Sequence, residues 1–153
     1  MEALIDDATF KEAFQRKADK LPEELKLLVT DVTFIVDETV KIDRKSGGVM
    51  PVITGNLQGS MSIDNLSDYS KRIYPDLGIA PYAEAVILGS KPHDIVITPK
   101  NAKALLTPYG FYKKVVVHHP GTEGYDFLSA GVEKAQPAVD ARLEEFKSWI
   151  MEG

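Results

Sequence analysis

The chain has 153 residues, 44% of them hydrophobic and 27% charged, with a formal net charge of −5 and no cysteine. That length supports one hydrophobic core, so a single domain over 1–153 is expected, and the missing cysteine excludes a disulfide framework, a thiolate zinc site and a cysteine nucleophile. No apolar run approaches the ~20 residues of a membrane span, and the acidic start MEALIDD lacks the basic and apolar regions of a secretory signal, so the protein is expected to remain in the cytosol where it is made.

Residues 1–45 read as helical. A short helix from about Asp7 to Ala18, with Phe10 and Phe14 on one side, precedes a longer one from about Leu21 to Arg44, in which Leu25, Leu28, Val29, Val32, Ile35, Val36 and Val40 recur at spacings of three and four. Pro22 suits the first turn of the second helix, and Glu23 and Glu24 favour the positive end of its dipole. KSGGVMP then ends the helical pattern, because paired glycines cost helix stability and the residue before Pro51 is pushed toward extended geometry. In the next stretch Thr54 is the candidate N-cap of a helix of one or two turns.

From Met61 to His119 the short runs SMSIDN, KRIYP, YAEAVIL, DIVIT and FYKKVVVH carry β-branched and aromatic residues between Asp, Gly and Pro breaks. They predict a mostly antiparallel sheet of about four strands, with a long loop near 89–109. The helical period returns over 126–151, where Leu128, Val132, Ala135, Val139, Leu143, Phe146 and Ile150 form a stripe. Pro137 is expected to kink or divide that helix. The fold class expected is therefore α+β, a small sheet packed against the long helix and covered by the C-terminal helix. Nearly heptad spacing also fits a partner helix, with the chain's own sheet the preferred neighbour.

His93, His118 and His119 are the chain's three histidines. Adjacent strand residues point to opposite faces, so His118 and His119 do not converge on one ion, and the pattern favours no metal site. There is no Gly-x-Ser-x-Gly elbow, and GGVMPVITG lacks the Gly-Lys-Ser/Thr ending of a phosphate loop. In VVVHHPGTEGYDFL, Pro120 cannot donate to a strand ladder, Gly121 permits a turn, and Asp126 stands where it can cap a helix starting at Phe127 and Leu128. The segment reads as a strand-to-helix joint anchored in the core by those two residues. Nearby, Lys91, Lys100, Lys103, Lys113 and Lys114 face only Asp94 over 24 residues, a local surplus that reads first as a solvated loop and second as a surface near phosphates or an acidic partner.

Four stretches in order resemble the tail-completion and neck protein family of long-tailed bacteriophages. They are Pro51, Thr54, Gly55, Leu57 and Ser60 after a long helix; Tyr82, Ala83, Val86 and Gly89; His93, Ile95, Pro99, Lys100, Lys103, Ala104 and Leu105; and His119, Pro120, Gly121 and Thr122 followed by Phe127 and Leu128. The family's glutamate before the strand-ending glycine is Ile87 here, and its proline before Phe-Leu is Asp126. The resemblance implies a non-enzymatic virion protein without cofactor that completes or terminates the tail and joins it to the head. Its partners would be itself, in a ring commonly of six copies, other neck and tail proteins, and DNA as a transient passenger, with no membrane. It would reside at the neck of the virion and, during assembly, in the host cytoplasm. A minor capsid or head-completion role is the nearest alternative, and a small metal-dependent hydrolase a more distant one. On this view the five lysines contact the channel or a partner.

Overall fold

The computed structural model describes residues 7–51, 55–100 and 103–152. The elements are α1 (Asp7–Lys41), α2 (Asn56–Gly59), β1 (Met61–Ser67), β2 (Ser70–Pro75), α3 (Ala83–Leu88), β3 (Gly89–Ser90), β4 (His93–Ile97), β5 (Leu105–Thr107), β6 (Gly110–Tyr112), β7 (Val115–His119), β8 (Thr122–Glu123) and α4 (Phe127–Met151). The mixed α+β class expected from the sequence holds. The chain forms two compact units, Met1–Pro81 with Phe127–Gly153, and Tyr82–Asp126.

In the first unit α1 is one helix of 35 residues, where two were expected, with Pro22 inside it. Proline removes one helical hydrogen bond and costs about 3 kcal/mol in a helix interior. Contacts on both sides of Pro22 offset that cost, because α4 lies antiparallel along α1. At one end of the seam the Lys17 ammonium donates to the carbonyls of Trp149 (2.7 Å), Ile150 (3.0 Å) and Glu152, and it lies over the Trp149 ring. Those carbonyls belong to the last turn of α4 and just beyond it, where helical partners run out, so a cation there satisfies acceptors and opposes the helix dipole. Midway, Arg142 Nε donates to Asp31 Oδ2 at 2.9 Å. At the far end Gly131 meets Val40 so closely that a β-carbon would lie 2.3 Å from Val40 Cγ2 and 3.2 Å from its Cα.

Two further expectations change here. The main partner of α4 is α1, not a sheet, and Pro137 does not divide it: the helix runs on to Met151. Pro137 is exposed, while Ala135 and Val139 before and after it face inward. Inward packing on both sides thus holds the helix across the missing hydrogen bond. The buried face of α4 is Phe127, Gly131 and Ala135, and Val132 of the expected stripe is exposed.

After α1 the chain turns through a short 3-10 segment at Arg44–Ser46, capped by Asp43, whose side chain accepts from Lys45 N. Ile42 O receives both Val49 N and Met50 N at 3.0 Å, and Val49 and Met50 are buried. The one-turn α2 exists, with Gly55 at its N-cap in the left-handed region, φ +83°; Thr54 lies outside the described residues. Leu57 and Ser60 are buried, and Ser60 Oγ donates to Leu57 O at 2.7 Å. Pro51 is half-buried. The β1–β2 ribbon follows, with Arg72 and Tyr74 both donating to Asp64. Arg72 beside it holds the Asp64 carboxyl below the ordinary carboxylate pKa, the Tyr74 hydroxyl adding to the effect.

The second unit differs most from expectation. YAEAVIL contains α3 where a strand was expected; Ala, Glu and Leu are good helix formers, and so short an apolar segment does not by itself distinguish the two. The loop expected near 89–109 contains β3, β4 and β5. FYKKVVVH breaks at Lys113–Lys114, because β6 pairs with β5 and β7 pairs with β4. Among the described residues eight strands thus form four antiparallel two-stranded ribbons in place of one four-stranded sheet.

Phe127 is fully buried and Leu128 half-buried, so the anchor pair divides unequally. Phe127→Ala is expected to cost about 3–5 kcal/mol in chemical denaturation and Leu128→Ala markedly less. Gly131→Ala should gain helix propensity yet lose about 1–2 kcal/mol net by overpacking, and Val40→Ala in that background should recover part of the loss.

Candidate assembly surface

Tyr82–Asp126 builds outward from a glycine clasp. Gly89 and Gly121 have φ of +77° and +86°, a region that side chains rarely adopt. At Gly89 a β-carbon would meet Thr122 O at 2.5 Å; at Gly121 it would meet Ser90 O at 2.4 Å. This close approach lets β3 pair with β8, Gly89 opposite Glu123 and Ser90 opposite Thr122. Ser90 Oγ and Thr122 Oγ1 lie 3.0 Å apart, and Thr122 N donates to Ser90 Oγ at 3.1 Å. Gly89, Gly121 and Thr122, 32 or 33 positions apart in the chain, therefore meet in one clasp. The strand-to-helix joint itself contains a strand: Pro120 and Gly121 separate β7 from β8, and Tyr125 N then donates to Val86 O at 2.8 Å.

Beyond the clasp β4 and β7 run as a five-pair ribbon, His93 opposite His119, Asp94 opposite His118, Ile95 opposite Val117, Val96 opposite Val116 and Ile97 opposite Val115. Alternation puts Ile95, Ile97, Val115 and Val117 on one face and Val96 and Val116 on the other. Every residue of β4 is exposed; Val96 and Val116 are each 53% exposed. Within the ribbon the ladder uses only one edge of each strand, leaving an edge on either side. The β5–β6 ribbon adds Leu106, Tyr109 and Phe111, all at least 75% exposed.

The histidines separate as strand alternation requires. His93 and His119 stack with ring centroids 5.1 Å apart on one face, while His118 Nδ1 lies 2.9 Å from Asp94 Oδ1 on the other. His93 Nδ1 faces Lys91 O, so it carries a proton, and His119 Nδ1 accepts from Gly121 N at 3.1 Å, which places the neutral ring's proton on Nε2. Among the described residues no group of three or more His, Asp or Glu is placed to hold a metal ion. Nor is any helix among them long and apolar enough to cross a membrane.

Lys91, Lys100, Lys103, Lys113 and Lys114 are all exposed. Because β4 and β7 are antiparallel, Ile97 and Val115 share an end of the ribbon, and Lys100, Lys113 and Lys114 follow or precede that end in the chain. The motif residues fall into two groups. Pro51, Gly55, Leu57, Ser60, Phe127 and Leu128 belong to the helical unit, and Tyr82, Ala83, Gly89, His119, Pro120, Gly121 and Thr122 belong to the ribbon unit. Tyr82 is exposed and Ala83 fully buried.

Sequence reasoning missed the open apolar faces of β4 and β7. A signal was present: Ile-Val-Ile and Val-Val-Val lack polar alternation, and such runs are usual in strands covered on both faces. No protein-family model, curated protein or solved structure matches this chain.

Alanine at Gly89 or Gly121 is expected to destabilise the ribbon unit by about 2 kcal/mol or more, combining left-handed backbone strain with the backbone clash. Amide hydrogen exchange should speed up over β3, β4, β7 and β8 and remain slow along α1 and α4; uniform protection would contradict the clasp.

Proposed function

We propose that this chain is a structural protein that works by self-association and carries out no catalysis. The observation that carries this is the β4–β7 ribbon, which exposes Ile95, Ile97 and Val117 on one face and Val96 and Val116 on the other and, among the described residues, pairs with no further strand. An isolated two-stranded ribbon is marginal in water, and contiguous exposed apolar surface marks an interface. A ring subunit needs one heterologous contact used repeatedly, which closes when the rotation between neighbours divides the circle.

The motif resemblance gives that assembly its setting: a virion protein that completes or terminates the tail of a long-tailed bacteriophage and joins it to the head as a ring, with other neck and tail proteins above and below and DNA passing through. Support comes from the long helix followed by Pro51 and Gly55, from the Gly89–Gly121 clasp and from the position of Phe127, each at a motif position. Head completion in the same particles would use the same kind of contact.

Native mass spectrometry and sedimentation of the purified chain should give a closed oligomer, six copies on the resemblance. Ile95→Lys with Val117→Glu places a favourable pair at directly opposite, exposed positions of the ribbon, so helical circular dichroism should be unchanged while the oligomer is lost. A wild-type chain that stays monomeric at high concentration would sink the proposal. Labelled protein located at the neck in particle images would separate tail completion from head completion.

A further inference from the structure

Charge is unevenly divided between the two units. Met1–Pro81 with Phe127–Gly153 carries 19 acids and 13 bases, and Tyr82–Asp126 carries 4 acids and 5 bases, with all five lysines between 91 and 114. The acidic unit also presents an apolar stripe. Leu27 and Phe34 of α1 are 50% and 55% exposed, although they are large and lie seven residues apart. Glu23 and Glu38, both exposed, lie four residues before Leu27 and four after Phe34. With ~3.6 residues per turn these four positions share one face of the helix. Asp31, four residues after Leu27 and three before Phe34, borders the stripe where Arg142 of α4 bonds it, and Lys26, paired with Asp68 at 2.6 Å, flanks it on the β1–β2 side.

We infer that the Ile95, Ile97 and Val117 face of the β4–β7 ribbon of one copy docks along the Leu27–Phe34 stripe of α1 in the next copy, the ribbon's lysine-rich end meeting one of the two glutamates that bound the stripe. The docking rests on the self-association proposed above and names its two halves. Three features join these surfaces. The signs of charge are opposite. The lengths agree: five strand residues span ~17 Å, and Glu23 to Glu38 span ~22 Å. The chosen ribbon face carries no carboxylate, whereas the opposite face carries Asp94, whose charge would approach the glutamates. A helix on a sheet face is also an ordinary layer packing. The two surfaces differ, so the contact is head-to-tail and propagates into a ring or filament.

Charge reversal with rescue tests this. Lys113→Glu with Lys114→Glu, and separately Glu23→Lys with Glu38→Lys, should each weaken self-association at least tenfold by sedimentation. An equimolar mixture of the two variants should restore it, because each altered surface then meets its complement. The chain has no cysteine, so single-cysteine variants are specific probes. Ile95→Cys mixed with Phe34→Cys should cross-link through a short bismaleimide, and Val96→Cys with Phe34→Cys should not.

Reversals that leave the oligomer intact would overturn the docking and spare self-association. A monomeric wild type would remove both. Homotypic Ile95→Cys cross-links as the main product would mean that ribbon packs on ribbon, also overturning the docking. So would loss of binding to a single-stranded oligonucleotide in the lysine variant with assembly unchanged, which would make the lysines a nucleic-acid surface.

Discussion

Gly131 against Val40 is the contact on which the helical unit depends. Only a residue without a β-carbon lets α4 come this close to α1, and the approach sets the register along the rest of the seam. In that register Arg142 reaches Asp31 and Lys17 reaches the carbonyls of the last turn of α4. Both prolines that would ordinarily interrupt a helix, Pro22 and Pro137, are carried within continuous helices because the seam supplies packing on either side of them. Phe127, the first residue of α4, is buried at the point where the chain re-enters this unit.

The unit between Pro81 and Phe127 is organised differently. Its ribbons have no common sheet, and most of its strand residues are exposed. Geometry is fixed by backbone approach at Gly89 and Gly121 more than by a hydrophobic core. Such a unit is stabilised further by anything that covers its apolar faces, which is the physical link to assembly: the same side chains that leave the isolated ribbon marginal supply the driving force when a neighbour covers them. On the proposed reading the helical unit supplies an acidic surface and the ribbon unit a basic, apolar one.

Long helices were legible because their apolar residues repeat at three and four over many turns, and periodicity summed over that length outweighs local breakers. The anchor at Phe127 and the turn at Gly121 were legible for a local reason, since Pro120 cannot continue a strand ladder and glycine reaches the backbone angles a turn needs. YAEAVIL was misjudged because so short an apolar segment satisfies either period. The continuity of α1 and α4 across Pro22 and Pro137 could not be read from either helix alone, because what offsets a missing hydrogen bond lies on the other one.

The sequence by itself determined the α+β class, the helical ends, the antiparallel character of the strands and the separation of His118 from His119, all consequences of residue-level sterics and short-range periodicity. Tertiary structure alone decided that α4 pairs with α1, that the strands form separate ribbons and that Gly89 meets Gly121 and Thr122. Each of these joins residues far apart in the chain, and which distant surfaces meet is fixed by how the shapes fit, information that no local pattern carries.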